Sequence, residues 1–178
     1  MIYLVTGMAR SGTSAIMRAL IMGGMVGNYF APLDVVMAQA DKLKRPNYDP
    51  NPYGFFEKGF TAAIEAHGMV SKIMLNRFSV AVPNPTVIVM HRPEEERKAS
   101  LDEWDFPTDE FLLGFDEHYA VFKSRHQGAN IVDVQYSQLI NNPEQELIRL
   151  QQAGWPIDPK KGARAIDPTL YRHRSRLD

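Results

Sequence analysis

The chain has 178 residues, 44% of them hydrophobic and 23% charged, and its formal net charge is −1. That length suits a single domain spanning 1–178 with a sizeable core, and the near-neutral charge argues against a surface built to coat nucleic acid. With no cysteine, disulfides and thiolate metal sites are excluded. No apolar run approaches the ~20 residues of a membrane span, and no basic stretch precedes the apolar start, so no signal peptide is expected. The expectation is a cytoplasmic protein.

Taken in chain order, Ile2–Val5 reads as a strand, and a turn holding Gly7 and Gly12 leads to a helix over Ser14–Met22. Residues 27–68 form an irregular insertion rich in proline, asparagine and aromatics, including "RPNYDPNPYGFFEKGF". An insertion there lies on the loop side of a sheet, where α/β proteins bind ligands. Tyr48, Tyr53, Phe55 and Phe56 would line a ligand pocket there or, equally, form the local core that ties the insertion down. Further strands are expected over Met69–Leu75, Thr86–Met90 and Asn130–Val134. Two of the four, "IYLV" and "TVIVM", are near-continuous apolar runs, the pattern of parallel strands covered on both faces.

Helices are expected over Pro93–Trp104, Asp109–Arg125 and Pro143–Ala153. The first opens on proline and three glutamates, which suit the positive end of a helix dipole; "EEERK" within it reads as a solvated face. The second carries an apolar stripe of Phe111, Leu112, Phe115, Tyr119 and Phe122. In the third, Asn142 can cap, Pro143 suits the first position, and Gly154 with Pro156 stops the helix. Strands alternating with helices predict an α/β fold, a three-layer parallel sheet with helices on both faces.

Three places carry candidate chemistry. The turn "GMARSGTS" has two glycines that let successive N–H groups face an anion, with Thr13 and Ser14 adding hydroxyls at a helix start. It resembles a P-loop, yet Thr13 stands where a nucleoside-triphosphate loop has its lysine, and the loop's one cation is Arg10. Arg92 follows the end of a strand, and Ser100 lies eight residues on, in the next helix. The pair can converge on a second phosphate, or Arg92 can be a solvated or ion-paired side chain. Lys72 lies within a strand, where its ammonium must reach an anion or snorkel to water.

Together these pieces resemble the sulfotransferases that use 3′-phosphoadenosine 5′-phosphosulfate (PAPS). "RSGTS" at Arg10–Ser14 matches that family's [KR]-S-G-T-[ST] loop, and "RPEEERKAS" has its Arg-to-Ser spacing. "KIML" at Lys72–Leu75 occupies the place of a K-x-H-L strand, and "VQYSQLINNPEQELIRL" is similar to a V-x-Y-E-D-L segment and its helix. The closing "IDPTLYRHR" is similar to the end of bacterial members. The resemblance implies a P-loop-like fold, PAPS as co-substrate and no metal. Arg10, Ser11, Gly12, Thr13 and Ser14 would hold the 5′-phosphosulfate, and Arg92 and Ser100 the 3′-phosphate. Lys72 and Arg10 would support the transferring group.

Where cytosolic members of that family place their catalytic histidine, this chain has Met74, which cannot take a proton, and other branches use a glutamate after the first helix. "NPYGFFE" resembles an N-P-x-G-[YF]-[FW]-E segment of bacterial relatives, which nominates Glu57 as general base; a surface carboxylate paired with Lys58 is the other reading. His67 and His91 are alternatives, His91 also reading as a packed histidine. In the tail, Arg172 and Arg174 would fold over the nucleotide, or belong to a frayed basic end. The expected acceptor is a small molecule or carbohydrate offering a hydroxyl or amine. Rival readings are a catalytically silent nucleotide- or anion-binding module and a degenerate P-loop small-molecule kinase.

Overall fold

A computed structural model describes residues 1–28, 67–78, 81–102 and 114–170. Strands and helices alternate: β1 (Tyr3–Gly7), α1 (Thr13–Met22), β2 (Val26–Gly27), β3 (Met69–Lys72), β4 (Thr86–His91), α2 (Glu94–Asp102), α3 (Phe115–Arg125), β5 (Asn130–Gln135), α4 (Tyr136–Asn141), α5 (Pro143–Gln152) and α6 (Pro159–Ala163). Single 3₁₀ turns occur at Leu75–Arg77 and Pro168–Leu170. The five strands form one parallel sheet in the order β2-β3-β1-β4-β5.

Side-chain alternation assigns the two faces. Tyr3, Val5, Ile88, Met90, Val132 and Val134 pack under α1, α4 and α5, with Trp155 in the same layer. Ile2, Leu4, Val87 and Val89 face the other way, against Phe78, Val82 and Phe122. Strands buried on both faces are what the uninterrupted apolar runs of β1 and β4 require. The fold is therefore the expected α/β sandwich with helices on both sides. Among the described residues, no helix is long and apolar enough to cross a membrane.

Several boundaries differ from the sequence expectation. β3 ends at Lys72 rather than Leu75, because Met74 caps a 3₁₀ turn that bends the chain away. α3 begins at Phe115, after a left-handed Gly114; residues 109–113, and Phe111 and Leu112 with them, lie outside the described residues. α2 is described to Asp102. Short β2 was not expected, since two residues give no readable period, and its Gly27 falls at the start of the supposed insertion. Nor was α4: it abuts α5, so Asn142 joins two helices and makes no side-chain cap. Its amide turns back toward Gln138 instead. Gly154 does end α5, in the left-handed region.

Candidate anion-binding site

Register places the site. Gly7 of β1 pairs with Met90 of β4, and His91 pairs with Gln135 of β5. Val5 pairs with Lys72. The turn after β1, the end of β3, Arg92 after β4 and Tyr136 after β5 therefore emerge at one carboxyl edge of the sheet. That edge is where open parallel sheets bind ligands.

The turn itself is held by close packing. A β-carbon on Gly7 would lie 2.4 Å from the Ser11 hydroxyl and 2.9 Å from the Met90 carbonyl oxygen. Ser11 N–H donates to the Met8 carbonyl at 3.2 Å. Two residues take left-handed backbone: Gly12, at φ 93°, and Arg10, at φ 65°. A non-glycine residue there is uncommon and strained, and such strain concentrates at ligand clamps. Left-handed residues amid ordinary turn geometry aim neighbouring N–H groups into one concavity. Behind it starts α1, whose first N–H groups have no intrahelical partner. The Ser11 hydroxyl is buried and bonds to nothing among the described residues, an orphan polar atom in a site suited to an oxyanion.

Cations surround this turn. Lys72, 2% exposed, donates from Nζ to the Ser14 hydroxyl at 3.1 Å. Because β3 stops there, the lysine is a strand-end side chain rather than a mid-strand one. Arg10 Nε donates to the Ser100 hydroxyl at 3.0 Å. Arg92 Nη1 donates to the carbonyl oxygen of Arg10 at 3.1 Å, and Arg92 Nε to Glu96 Oε2 at 3.0 Å. The Arg92 guanidinium lies over the Tyr136 ring, 4.7 Å from its centre. That ring also packs on the turn: a β-carbon on Gly12 would sit 2.3 Å from it.

Local charge follows from this crowding. Burial pushes the Tyr136 hydroxyl pKa up, opposed by the Arg92 and Arg10 guanidiniums. Burial pushes the Arg97 pKa down; Glu94 opposes this and Arg92 adds to it. Positive charge is thus gathered at the edge with, among the described residues, one buried carboxylate, Glu96, inside it.

The structure brings Arg10, Ser11, Gly12, Thr13, Ser14, Lys72, Arg92 and Ser100 to one edge. Glu57, Arg172 and Arg174 lie outside the described residues, as do Tyr48, Tyr53, Phe55 and Phe56. His67 is exposed just before β3, at the amino edge, where the next residue bonds to Met1; it is on the wrong side of the sheet to serve this turn. His91 packs on Phe115 and Tyr119 of α3, and its Nε2 donates to Asp133 at 2.5 Å. Neighbours on a strand face opposite ways, so His91 turns to the α3 layer. Tyr119 also donates to Asp133, at 2.6 Å; burial first, then this bond, pushes its hydroxyl pKa up.

Two residues were missed. Tyr136 lay in a quoted segment but drew no role; its signal is its place directly after a strand end. Glu96 was read with a solvated charge run, yet it and Arg97 are buried. The available signal was spacing, since Glu96 lies four residues after Arg92 and four before Ser100.

A parallel five-stranded sheet whose first strand runs through a glycine turn into a helix defines a P-loop-like α/β architecture. Among solved structures, the chain is similar to the sulfotransferase STF1 of Mycobacterium tuberculosis H37Rv (type 1 form). The TM-score is 0.55 at 14% identity, over 93% of this chain and 70% of that one. A likeness at that identity establishes a sulfotransferase-like fold. No family model matches the chain, and no curated protein matches it by sequence.

Proposed function

We propose that the chain is a sulfotransferase that moves a sulfuryl group from PAPS to a hydroxyl or amine of a small or exposed acceptor. The observation that carries this reading is the linkage of the glycine turn to the β4–α2 corner: Arg10 bonds to Ser100 through its side chain and to Arg92 through its carbonyl. Two adjoining sets of donors suit a ligand with two separate anionic groups. The sulfotransferase-like fold supports the same reading. The donor set fits the co-substrate: guanidiniums, an ammonium, hydroxyls and turn N–H groups, with the buried Ser11 hydroxyl lacking a partner among the described residues.

When bound, PAPS supplies the sulfuryl group, whose sulfur–oxygen bond to the 5′-phosphate breaks as the acceptor's oxygen or nitrogen bonds to sulfur. Arg10 and the turn N–H groups then meet the negative charge growing on the leaving oxygen, which is where fixed donors lower a barrier most. Lys72, fixed against Ser14, supports the sulfuryl oxygens. Arg92 and Ser100 hold the 3′-phosphate, the feature that separates this nucleotide from AMP and ATP. Glu57 takes the proton from the acceptor.

Titration calorimetry tests the nucleotide half. Adenosine 3′,5′-bisphosphate should bind well ahead of AMP without magnesium, and equal affinities would overturn the assignment. Transfer of labelled sulfate from PAPS to alcohols, phenols and sugars tests the chemistry. A second reading, a silent nucleotide-binding module, is favoured by Met74 and by His91 being turned toward Asp133. It predicts tight bisphosphate binding with no transfer to any acceptor.

A further inference from the structure

The site holds a buried carboxylate where anion-binding chemistry would exclude one. The Arg92 and Glu96 side chains are 7% and 3% exposed, and the pair is joined at 3.0 Å between Nε and Oε2. Arg10 lies close by, its carbonyl bonded to Arg92, and buried Arg97 follows Glu96 on α2. A carboxylate among phosphate-binding arginines weakens the field an anion feels, so its presence needs a reason.

Geometry supplies that reason. Glu96 and Ser100 are one helical turn apart on α2, so both side chains look toward the strand end. Glu96 takes the Nε edge of Arg92, Tyr136 lies beneath the guanidinium plane, and the Arg10 carbonyl takes Nη1. A guanidinium fixed by an edge, a face and one terminal nitrogen has little rotational freedom left. Such preorganisation removes the ordering cost that a long side chain otherwise meets on binding. The carboxylate also offsets part of the repulsion among the clustered arginines.

We infer that Glu96 is a positioning residue: it orients Arg92 so that the protein discriminates nucleotides by their 3′-phosphate. This rests on the sulfotransferase reading for the identity of the ligand. It goes beyond that reading in assigning selectivity to a carboxylate that never touches the nucleotide.

Two variants separate position from charge. Glu96→Gln keeps an oxygen acceptor at the same reach and loses the charge. Glu96→Asp keeps the charge and withdraws it by one methylene. Calorimetry with adenosine 3′,5′-bisphosphate and with AMP yields the affinity ratio for each protein. The ratio should survive in E96Q within about threefold and fall at least about tenfold in E96D, the scale of one charge-assisted hydrogen bond. A ligand-free readout accompanies it: the Nε–H resonance of Arg92 should stay protected from exchange in the wild type and E96Q and lose protection in E96D. Thermal melts confirm that each variant is folded. E96D with a wild-type ratio, or E96Q failing as badly as E96D, overturns the inference while leaving the sulfotransferase reading intact. A wild-type ratio near one sinks that reading and the assigned selectivity with it; the exchange data then report separately whether Glu96 holds Arg92.

Discussion

The backbone carbonyl of Arg10 accepts a hydrogen bond from the Arg92 guanidinium at 3.1 Å, tying the turn after β1 to the residue that follows β4. Eighty-two residues separate the two in sequence. The bond also stands at the strained point of the turn, since Arg10 has φ 65°. Arg92 therefore holds the turn's shape, and in the proposed function it also offers charge to the ligand.

Arg92→Ala should erase most of the preference for adenosine 3′,5′-bisphosphate over AMP. Bonds to charged groups are worth about 1.5–3 kcal/mol, roughly ten- to a hundredfold in affinity. Arg92→Lys should not restore it, because one ammonium cannot meet Glu96, the Tyr136 face and the Arg10 carbonyl together. Calorimetry on the three proteins decides the point, and a lysine variant with wild-type selectivity would refute the fork geometry.

Gly12→Ala should destabilise the fold through two separable effects. A left-handed backbone costs an alanine about 1–3 kcal/mol, and the added carbon overlaps the Tyr136 ring, 2.3 Å away. Removing the ring relieves only the second. In a Tyr136→Ala background, G12A should therefore cost less, and denaturant melts of the four proteins measure the coupling. Strict additivity would show that the contact carries no strain.

Lys72→Met should still fold, since an apolar side chain of similar length fills the same buried space. Sulfate transfer from PAPS should fall by about a hundredfold, the usual scale for loss of one fixed donor to developing charge. Melting temperature and turnover, measured on one preparation, check both halves. A collapse in stability would make Lys72 a structural residue instead.

Stability should decline below neutral pH through His126. Its Nδ1 faces the Phe122 carbonyl oxygen at 2.8 Å and so carries the proton, while the buried Nε2 has no partner among the described residues. Burial lowers the folded-state pKa below the ordinary 6.5, the Phe122 bond opposing and Arg125 adding to the shift. The unfolded chain thus binds a proton first. The neutral imidazole's contribution is complete above 6.5 and is lost as pH falls from there through the folded value. Denaturant unfolding at pH 7.5 and 5.5 should show a smaller decline in His126→Phe than in the wild type. Equal declines would assign the acid sensitivity to other groups.

Much of this protein could be read from local pattern. Apolar runs identified β1 and β4 as doubly covered strands, and proline and glycine bracketed α5, because burial and backbone limits act on a few adjacent residues. The turn "RSGTS" and the Arg92–Ser100 spacing were legible for the same reason. Tertiary structure decided what chain distance hides. It ended β3 at Lys72 and so made that side chain part of the edge, turned His91 toward Asp133, and seated Tyr136 against both Gly12 and Arg92. It also buried Glu96 within what had read as a solvated charge run. Each of these depends on which strand ends meet and which way a side chain leaves its strand, and only the packing of the whole sheet settles that.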